Sequence, residues 1–207
     1  LLDTVLTMDP LLIATFMGAG ILLNLTPGAD VIFAMASGAA GGWRPGVAAS
    51  VGITLGGILH VTLAVLGISA AIVTIPYAFD VIRYLGAAYL LWLAVKSWCA
   101  APTFMQGKGS TSLTGAIRRG FWTNVLNPKV ALFILAFLPQ FADPAIGPVW
   151  HQVACLGVIF LTTGLVINAA YGALAGLLGS GLRRSSGILH KFSALVFGGL
   201  AVRLVMD

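Results

Sequence analysis

The chain has 207 residues, of which 59% are hydrophobic and 8% charged, and its mean hydropathy is +1.02. Because soluble domains carry roughly 25% charged residues, this composition excludes a soluble protein and predicts an all-α integral membrane protein. The net charge of +5 is a signal of membrane topology. The basic residues are not interleaved with aromatic residues on a polar surface, so nucleic-acid binding is not expected.

Six apolar stretches predict six transmembrane helices in a single membrane domain, residues 1–207. In chain order, the predicted spans are 11–40, 47–73, 81–98, 120–141, 149–178 and 188–205. A polar connector at about 99–112 divides a first repeat of three spans, about 11–98, from a second repeat, about 113–206.

The first span contains the motif Asn24-Leu-Thr-Pro-Gly-Ala-Asp30, which disrupts a helix in three ways. Pro27 has no N–H and clashes with the preceding turn, and Gly28 adds a flexible joint. Asp30 places a carboxylate in an apolar environment, where charge is costly. Thr26 followed by Pro27 is typical of a helix start, so we predict a broken span whose second half-helix begins at Pro27.

The fourth span contains a second break at Leu126-Asn-Pro-Lys129. Asn127 precedes Pro128 as a helix cap, so this motif also predicts a half-helix that begins inside the membrane. The two prolines lie about half a chain length apart, which places one break in each three-helix repeat. Since three is an odd number, the second repeat enters the membrane from the opposite side, and the sequence predicts an inverted-topology repeat.

An inverted repeat brings the two half-helix N-termini to a similar depth near the bilayer midplane. Their free N–H groups and positive dipole ends suit a carboxylate. Asp30 and Lys129 lie beside the breaks, and we predict that they form an ion pair or contact a zwitterion. Lys129 would bind the carboxylate, and Asp30 would bind an ammonium group or a proton. The structural alternative is that Asp30 stabilises its own half-helix and Lys129 extends to the membrane edge.

Four further polar residues in the predicted spans have a functional and a structural interpretation. His60 is a candidate proton relay or a hydrogen-bonded packing residue. Asn168, with two threonines nearby, lines the substrate cavity or links helices. Asn24 and Asn124 precede the breaks, and we expect them to satisfy carbonyls that the prolines leave free.

Three small-residue motifs predict close approach between helices. They are Gly38-x-x-x-Gly42, Gly52-x-x-x-Gly56 and Gly172-x-x-x-Gly176. We expect them to pack helices within the chain, and a homodimer is the alternative.

No residue pattern predicts catalysis, a metal site or a cofactor. Cys99 and Cys155 have no metal-ligand or Cys-x-x-Cys spacing and are predicted to be buried thiols, which disfavours a membrane thiol-redox carrier.

An intramembrane hydrolase would need a partner for His60, and the sequence offers none. A secondary transporter is therefore favoured over an enzyme. A passive channel for amino acids or other small solutes is the alternative, and the proton dependence of efflux separates the two.

The basic residues predict the orientation of the chain in a bacterial-type inner membrane. The loops after the first, third and fifth spans hold Arg44, Lys96, Lys108, Arg118, Arg119, Arg183, Arg184 and Lys191, whereas the opposite side holds Arg83 and Arg203. These loops are therefore expected in the cytoplasm, with both termini outside. If the segment before the first break does not fully cross, the N-terminus would instead lie inside.

Three motifs in order resemble those of the LysE/RhtB-type amino-acid exporter family, also called the lysine exporter family. The first is the Asn24–Asp30 motif followed by Gly41-Gly42-x-x-x-Gly46, and the second is Arg83-Tyr-Leu-Gly-Ala-Ala-Tyr-Leu-Leu-Trp-Leu. The third is Gly120-Phe-x-x-Asn124-x-x-Asn127-Pro-Lys-x-Ala-Leu-Phe, followed by Phe137-Leu-Pro-Gln-Phe141. The resemblance extends from about Leu11 to the C-terminus.

This resemblance implies a six-span inner-membrane exporter of amino acids or their small derivatives, driven by the proton gradient. The implied partners are an amino-acid substrate, protons and membrane lipids. Two residues depart from the family pattern: Ala29 replaces a frequent second proline, and Gly57 replaces a common acidic residue in the second span. The loss of that acid argues against a dibasic substrate.

Overall fold

The computed structural model describes residues 8–74, 78–99 and 108–178, together with 194–195, 198–199 and 201–202. Most of the predicted sixth span, most of the polar connector and the loop containing Arg183 and Arg184 lie outside the described residues. The described residues form helices and turns and contain no strand, which confirms the predicted all-α class.

Seven α-helices lie between residues 8 and 178 of the described chain. In order, they are α1 (Pro10–Leu25), α2 (Ala29–Gly41), α3 (Trp43–Thr74), α4 (Ala78–Trp98), α5 (Leu113–Val125), α6 (Pro128–Phe137) and α7 (Val149–Leu178). Two 3-10 turns, Leu138–Phe141 and Pro144–Ile146, connect α6 to α7.

Two helices are long and apolar enough to cross a membrane alone, and they coincide with predicted spans two and five, α3 and α7. Predicted spans one and four are both bent at their prolines. The axes of α1 and α2 form an angle of 50°. The axis of α5 forms an angle of 54° with the axis of the segment that comprises α6 and the turn after it. The described residues therefore contain two candidate spans, or up to four if each bent pair is one span. Helix α4 coincides with predicted span three but has only a short apolar part, 86–96.

The first break differs in detail from its prediction. Thr26 ends α1: its N–H and its hydroxyl both donate to the Leu22 carbonyl, at 2.9 and 2.6 Å. Helix α2 begins only at Ala29, with Gly28 as its N-cap, so the prediction of Thr26 as the N-cap and Pro27 as the first helical residue is wrong. A residue that precedes proline is forced into extended backbone, and Thr26 adopts it with ψ 118°.

The break also does not depend on the flexibility of glycine. Gly28 has φ −140° and ψ −168°, an extended conformation that any residue can adopt. Pro27 is therefore the residue that separates α1 from α2.

The second break matches its prediction. Asn127 is the N-cap of α6 and Pro128 is the first helical residue. The Asn127 side-chain oxygen accepts a hydrogen bond from the Lys129 N–H at 3.0 Å, which satisfies one of the free donors at the start of the helix.

Glycines allow α2, α3, α5 and α7 to pack backbone against backbone. Gly38 and Gly46 both lie against Gly172, and Gly52 lies against the backbone of Ile117. Gly56 lies against Asn124, and the backbone of Trp43 contacts Gly176. These contacts confirm that the small-residue motifs pack helices within the chain.

Replacement of Gly172 with alanine is expected to destabilise the protein by about 1–3 kcal/mol, because small-to-large changes in packed positions have such costs. A Cβ atom at this position would lie 2.7 Å from backbone atoms of Gly46, closer than any normal contact. Thermal unfolding of the purified protein in detergent measures the effect. Gly18→Ala is the matched control, because a Cβ there meets nothing within 4 Å and alanine favours a helix by roughly 0.5–1 kcal/mol. Equal loss of stability in both variants would contradict the packing argument.

Five phenylalanines pack α1 against α6, α7 and the turn that follows α6. This phenylalanine cluster consists of Phe16, Phe133, Phe137, Phe141 and Phe160. Its rings lie 4.7 to 6.4 Å apart between centroids in the contacts that join them. The cluster therefore fills the interior beside the two breaks with apolar side chains.

The two cysteines differ in environment. Cys155 is buried in α7, as predicted. Cys99 is exposed, so its predicted burial is wrong, because α4 ends at Trp98 and leaves the next residue outside the packed helices.

Candidate functional site

The two breaks face each other, and Lys129 of the second satisfies backbone groups of the first. Because Pro27 has no N–H, the Leu23 carbonyl lacks its helical donor. The Lys129 ammonium donates to the Leu23 carbonyl at 2.7 Å and to the Thr26 carbonyl at 2.8 Å. A buried carbonyl without a partner costs about 1–3 kcal/mol, so this side chain stabilises the first break.

The second break is satisfied from another helix in the same way. Pro128 leaves the Asn124 carbonyl without its helical donor. His60 Nε2 from α3 lies 3.1 Å from this oxygen, and the Asn127 N–H donates to it at 2.9 Å. A carbonyl only accepts, so Nε2 of His60 carries the proton in this contact. His60 is therefore placed as a hydrogen-bonded packing residue, which is the second of the two interpretations that the sequence allows.

Asp30 lies in the first turn of α2 and is 7% exposed. Its Oδ2 accepts a hydrogen bond of 2.7 Å from the Asn124 side chain, which joins α2 to α5. Its Oδ1 is buried and has no hydrogen-bond partner. No salt bridge joins the described side chains of Asp30 and Lys129: the ammonium binds carbonyls of the first break, and the carboxylate binds Asn124.

The asparagines before the breaks do not have the role predicted for them. Asn24 donates across to α7, to the Phe160 carbonyl at 3.4 Å and the Thr163 hydroxyl at 3.3 Å, and Asn124 donates to Asp30. The expectation that they satisfy proline-freed carbonyls is therefore wrong. The reason is geometric: Lys129 and His60 reach those carbonyls from neighbouring helices.

Two tyrosines that the sequence did not indicate also bind the break regions. The Tyr89 hydroxyl donates to the Lys129 carbonyl at 2.8 Å, and the Tyr171 hydroxyl donates to the Leu25 carbonyl at 3.2 Å. A buried tyrosine in an apolar helix requires a hydrogen-bond partner for its hydroxyl, and this requirement is the only sequence feature that could have indicated these two contacts.

Two small cavities lie around Asp30, each of about 20 Å³. The break cavity lies between the two breaks and is lined by Leu23, Asn24, Thr26, Gly28, Asp30, Val31, Asn127, Lys129, Val130 and Asn168. The inner cavity lies on the side of α3 and α7 and is lined by Asn24, Asp30, Ile53, Thr54, Asn124, Val130, Phe160, Leu161, Gly164 and Asn168. Each has room for about one water molecule.

The structure thus brings most of the predicted site residues together. Seven line the break cavity: Asn24, Thr26, Gly28, Asp30, Asn127, Lys129 and Asn168. Asn124 lines the inner cavity, and Pro27 and Pro128 shape the backbone beside them. His60 lies behind Asn124 and lines neither cavity.

A larger open groove lies along the C-terminal half of α5 and reaches the first residue of α2. It has a volume of about 650 Å³ and is lined by Ala29, Arg118, Arg119, Trp122, Thr123 and Leu126. Ala29 is the first residue of α2 and precedes Asp30, but no described residue lines both the groove and the break cavity.

The side chains at this site are suited to binding a ligand. Its polar groups are one ammonium, one carboxylate and several side-chain amides, and the described residues contain no group of three His, Cys, Asp or Glu that would hold a metal ion. Two apolar helix pairs bent at prolines around a cavity with charged side chains are typical of membrane transport proteins with discontinuous helices.

The chain belongs to the LysE type translocator family, which it matches over residues 21–207. It is therefore a membrane transporter and not an enzyme, as the sequence predicted. No solved structure matches the chain.

Three relatives illustrate the family. The leucine efflux protein of Klebsiella pneumoniae is 32% identical over 203 residues, 92% of each chain. The homoserine/homoserine lactone efflux protein of Salmonella typhimurium is 32% identical over 156 residues, 74% of this chain and 75% of the relative. An uncharacterized membrane protein of Vibrio cholerae is 31% identical over 182 residues, 87% of each chain.

Proposed function

We propose that the protein exports a neutral amino acid from the cytoplasm by proton antiport, with alternating access to the break cavity. The observation that carries the proposal is the convergence of Asp30 and Lys129, each in the first turn of a half-helix, on one buried cavity. Efflux of leucine and of homoserine by relatives supports an amino-acid substrate.

Both ends of a zwitterion find a partner in this cavity. An ammonium has three donors, and that of Lys129 uses two on backbone carbonyls, which leaves one for a substrate carboxylate. The N-termini of α2 and α6 add favourable potential for the same carboxylate. The free Oδ1 of Asp30 accepts from the substrate ammonium or takes the coupling proton.

The size of the cavity supports alternating access over a passive channel. A space of about 20 Å³ holds one water molecule and no amino acid, so the described conformation is closed around the site. The phenylalanine cluster fills the interior on one side of the breaks, and the open groove beside Ala29 is separate from the break cavity. Substrate binding therefore requires the half-helices to move.

The surroundings of the second span favour a neutral over a dibasic substrate. The relatives of known substrate handle leucine or homoserine, and an acidic residue is absent at Gly57. A Cβ atom at Gly57 would contact the end of the Leu161 side chain, so a carboxylate at this position would require Leu161 to move.

The paired bends also support an inverted repeat. Bends of 50° and 54° occur at corresponding places in the two halves, and each is followed by a short half-helix. In this arrangement the basic loops lie in the cytoplasm, the termini lie outside, and the chain spans the bacterial inner membrane six times.

Efflux from membrane vesicles loaded with single amino acids tests the proposal. We expect leucine and homoserine to leave faster than from vesicles without the protein, lysine to be retained, and efflux to fall to background when a protonophore collapses the proton gradient. Efflux that persists unchanged without the gradient would identify a passive channel, and retention of every amino acid would refute export.

A further inference from the structure

The inner cavity is lined by side-chain oxygens that lack hydrogen-bond donors. Asp30 Oδ1, Asn124 Oδ1 and Asn168 Oδ1 are all buried without a partner, and all three residues line this cavity. Their side chains are 7%, 3% and 4% exposed. Buried polar atoms are almost always satisfied, so three such oxygens around one space indicate an occupant.

The hydrogen bonds fix which ends of the amides remain unpartnered. Asn124 turns its nitrogen to the Asp30 carboxylate, where an amide oxygen would be repelled, and Asn168 turns its nitrogen to the Gly164 carbonyl. The Thr54 hydroxyl donates to the Ser50 carbonyl, so its oxygen offers only lone pairs to the cavity that it lines.

A single water molecule does not suit this lining. Water has two protons to donate, so it leaves at least one of the three oxygens unsatisfied. A proton on Asp30 would provide only one donor and would therefore satisfy fewer of these oxygens than a water molecule does. A small cation takes several oxygen ligands at once, and carboxylate and carbonyl oxygens are the ligands of hard cations.

We propose that the inner cavity is a Na⁺ site, formed by the side-chain oxygens of Asp30, Asn124 and Asn168. The space of about 20 Å³ admits one ion without its hydration shell. The charge of one carboxylate balances a monovalent ion, whereas a divalent ion would add excess positive charge near Lys129. The site shares the Asp30 carboxylate with the position proposed for the substrate ammonium or the coupling proton, so Na⁺ would compete with either. The measurements that test the site contain no amino acid and no proton gradient, so they do not depend on the proposed function.

Thermal unfolding of the purified full-length protein in detergent tests the site without any transport assay. We expect Tm to be roughly 5 °C higher in saturating NaCl than in choline chloride at the same ionic strength and pH. KCl is expected to give a smaller shift, because the cavity is small. Binding of radioactive Na⁺ to the wild-type protein should approach one ion per chain.

Two variants assign the effect to the cavity. Asp30→Asn and Asn168→Leu are expected to abolish the Na⁺-dependent shift, and Thr62→Val is the control because Thr62 is exposed and donates to its own helix at Ile58. If Asp30→Asn fails to fold, Asn168→Leu and the wild-type binding measurement decide. Equal Tm in Na⁺ and choline, a shift retained in Asn168→Leu, or no bound Na⁺ would overturn the proposal and identify a cavity that holds water only. The vesicle efflux result is independent of each of these outcomes.

Discussion

Replacement of Asp30 with asparagine is expected to abolish proton-driven export while leaving the protein folded. Asparagine cannot release or take up a proton, so efflux under a proton gradient should fall to the level of vesicles without the protein. The oxygen that accepts from Asn124 is retained in the variant. The new amide nitrogen can donate to the unpartnered oxygens of Asn124 or Asn168, so stability in a sodium-free buffer should be unchanged or higher by about 1 kcal/mol.

The design separates coupling from folding, because efflux and thermal unfolding are measured on the same preparation. Asp9→Asn is the matched control: Asp9 is exposed, and its oxygen that caps α1 is present in asparagine as well. Gradient-driven efflux by the Asp30 variant at the wild-type rate would exclude Asp30 as the proton carrier. Loss of folding would show that its negative charge is structural.

Lys129 has two roles that different substitutions separate. Lys129→Gln removes the charge but retains an amide donor for the Leu23 or Thr26 carbonyl, whereas Lys129→Met removes both. Loss of a buried charged partner costs about 2–5 kcal/mol, so Lys129→Gln should weaken the apparent substrate affinity by roughly 30-fold to more than 1,000-fold. Lys129→Met should also lose stability, by about 1–3 kcal/mol for each carbonyl left unpaired.

Concentration dependence of efflux and thermal unfolding together measure these effects. Lys108→Gln is the control, because it makes the same chemical change at an exposed position. If Lys129→Gln exports with wild-type affinity while Lys129→Met unfolds, the lysine is only a structural hydrogen-bond donor, and the proposed carboxylate site must be abandoned.

The breaks themselves were predictable, because proline acts on its own helix. The loss of one N–H and the clash with the preceding turn are local effects, so Pro27 and Pro128 could be located without knowledge of the fold. Asn127 was correctly predicted as a cap for the same local reason. Thr26 was not, because its hydroxyl had a competing local partner in the Leu22 carbonyl, and the sequence does not decide between the two.

The partners across the site were not predictable from the sequence. Asn24 binds α7 and Lys129 binds α1 over separations of more than 100 residues along the chain, which local patterns do not encode. The inverted-repeat argument placed Asp30 and Lys129 at one site but gave no distances. It therefore predicted a direct ion pair as readily as the observed arrangement, in which the lysine donates to backbone carbonyls of the first break and the aspartate accepts from an amide.

The bond from Lys129 to the first break also has a consequence for the order of assembly. The Thr26 carbonyl and the Lys129 ammonium are 103 residues apart, so the ribosome completes helices α1 to α5 before this donor exists. The bent α1–α2 segment enters the bilayer with two carbonyls that only a later helix can satisfy. The first break therefore acquires its hydrogen bonds from Lys129 only after the second break has been synthesised.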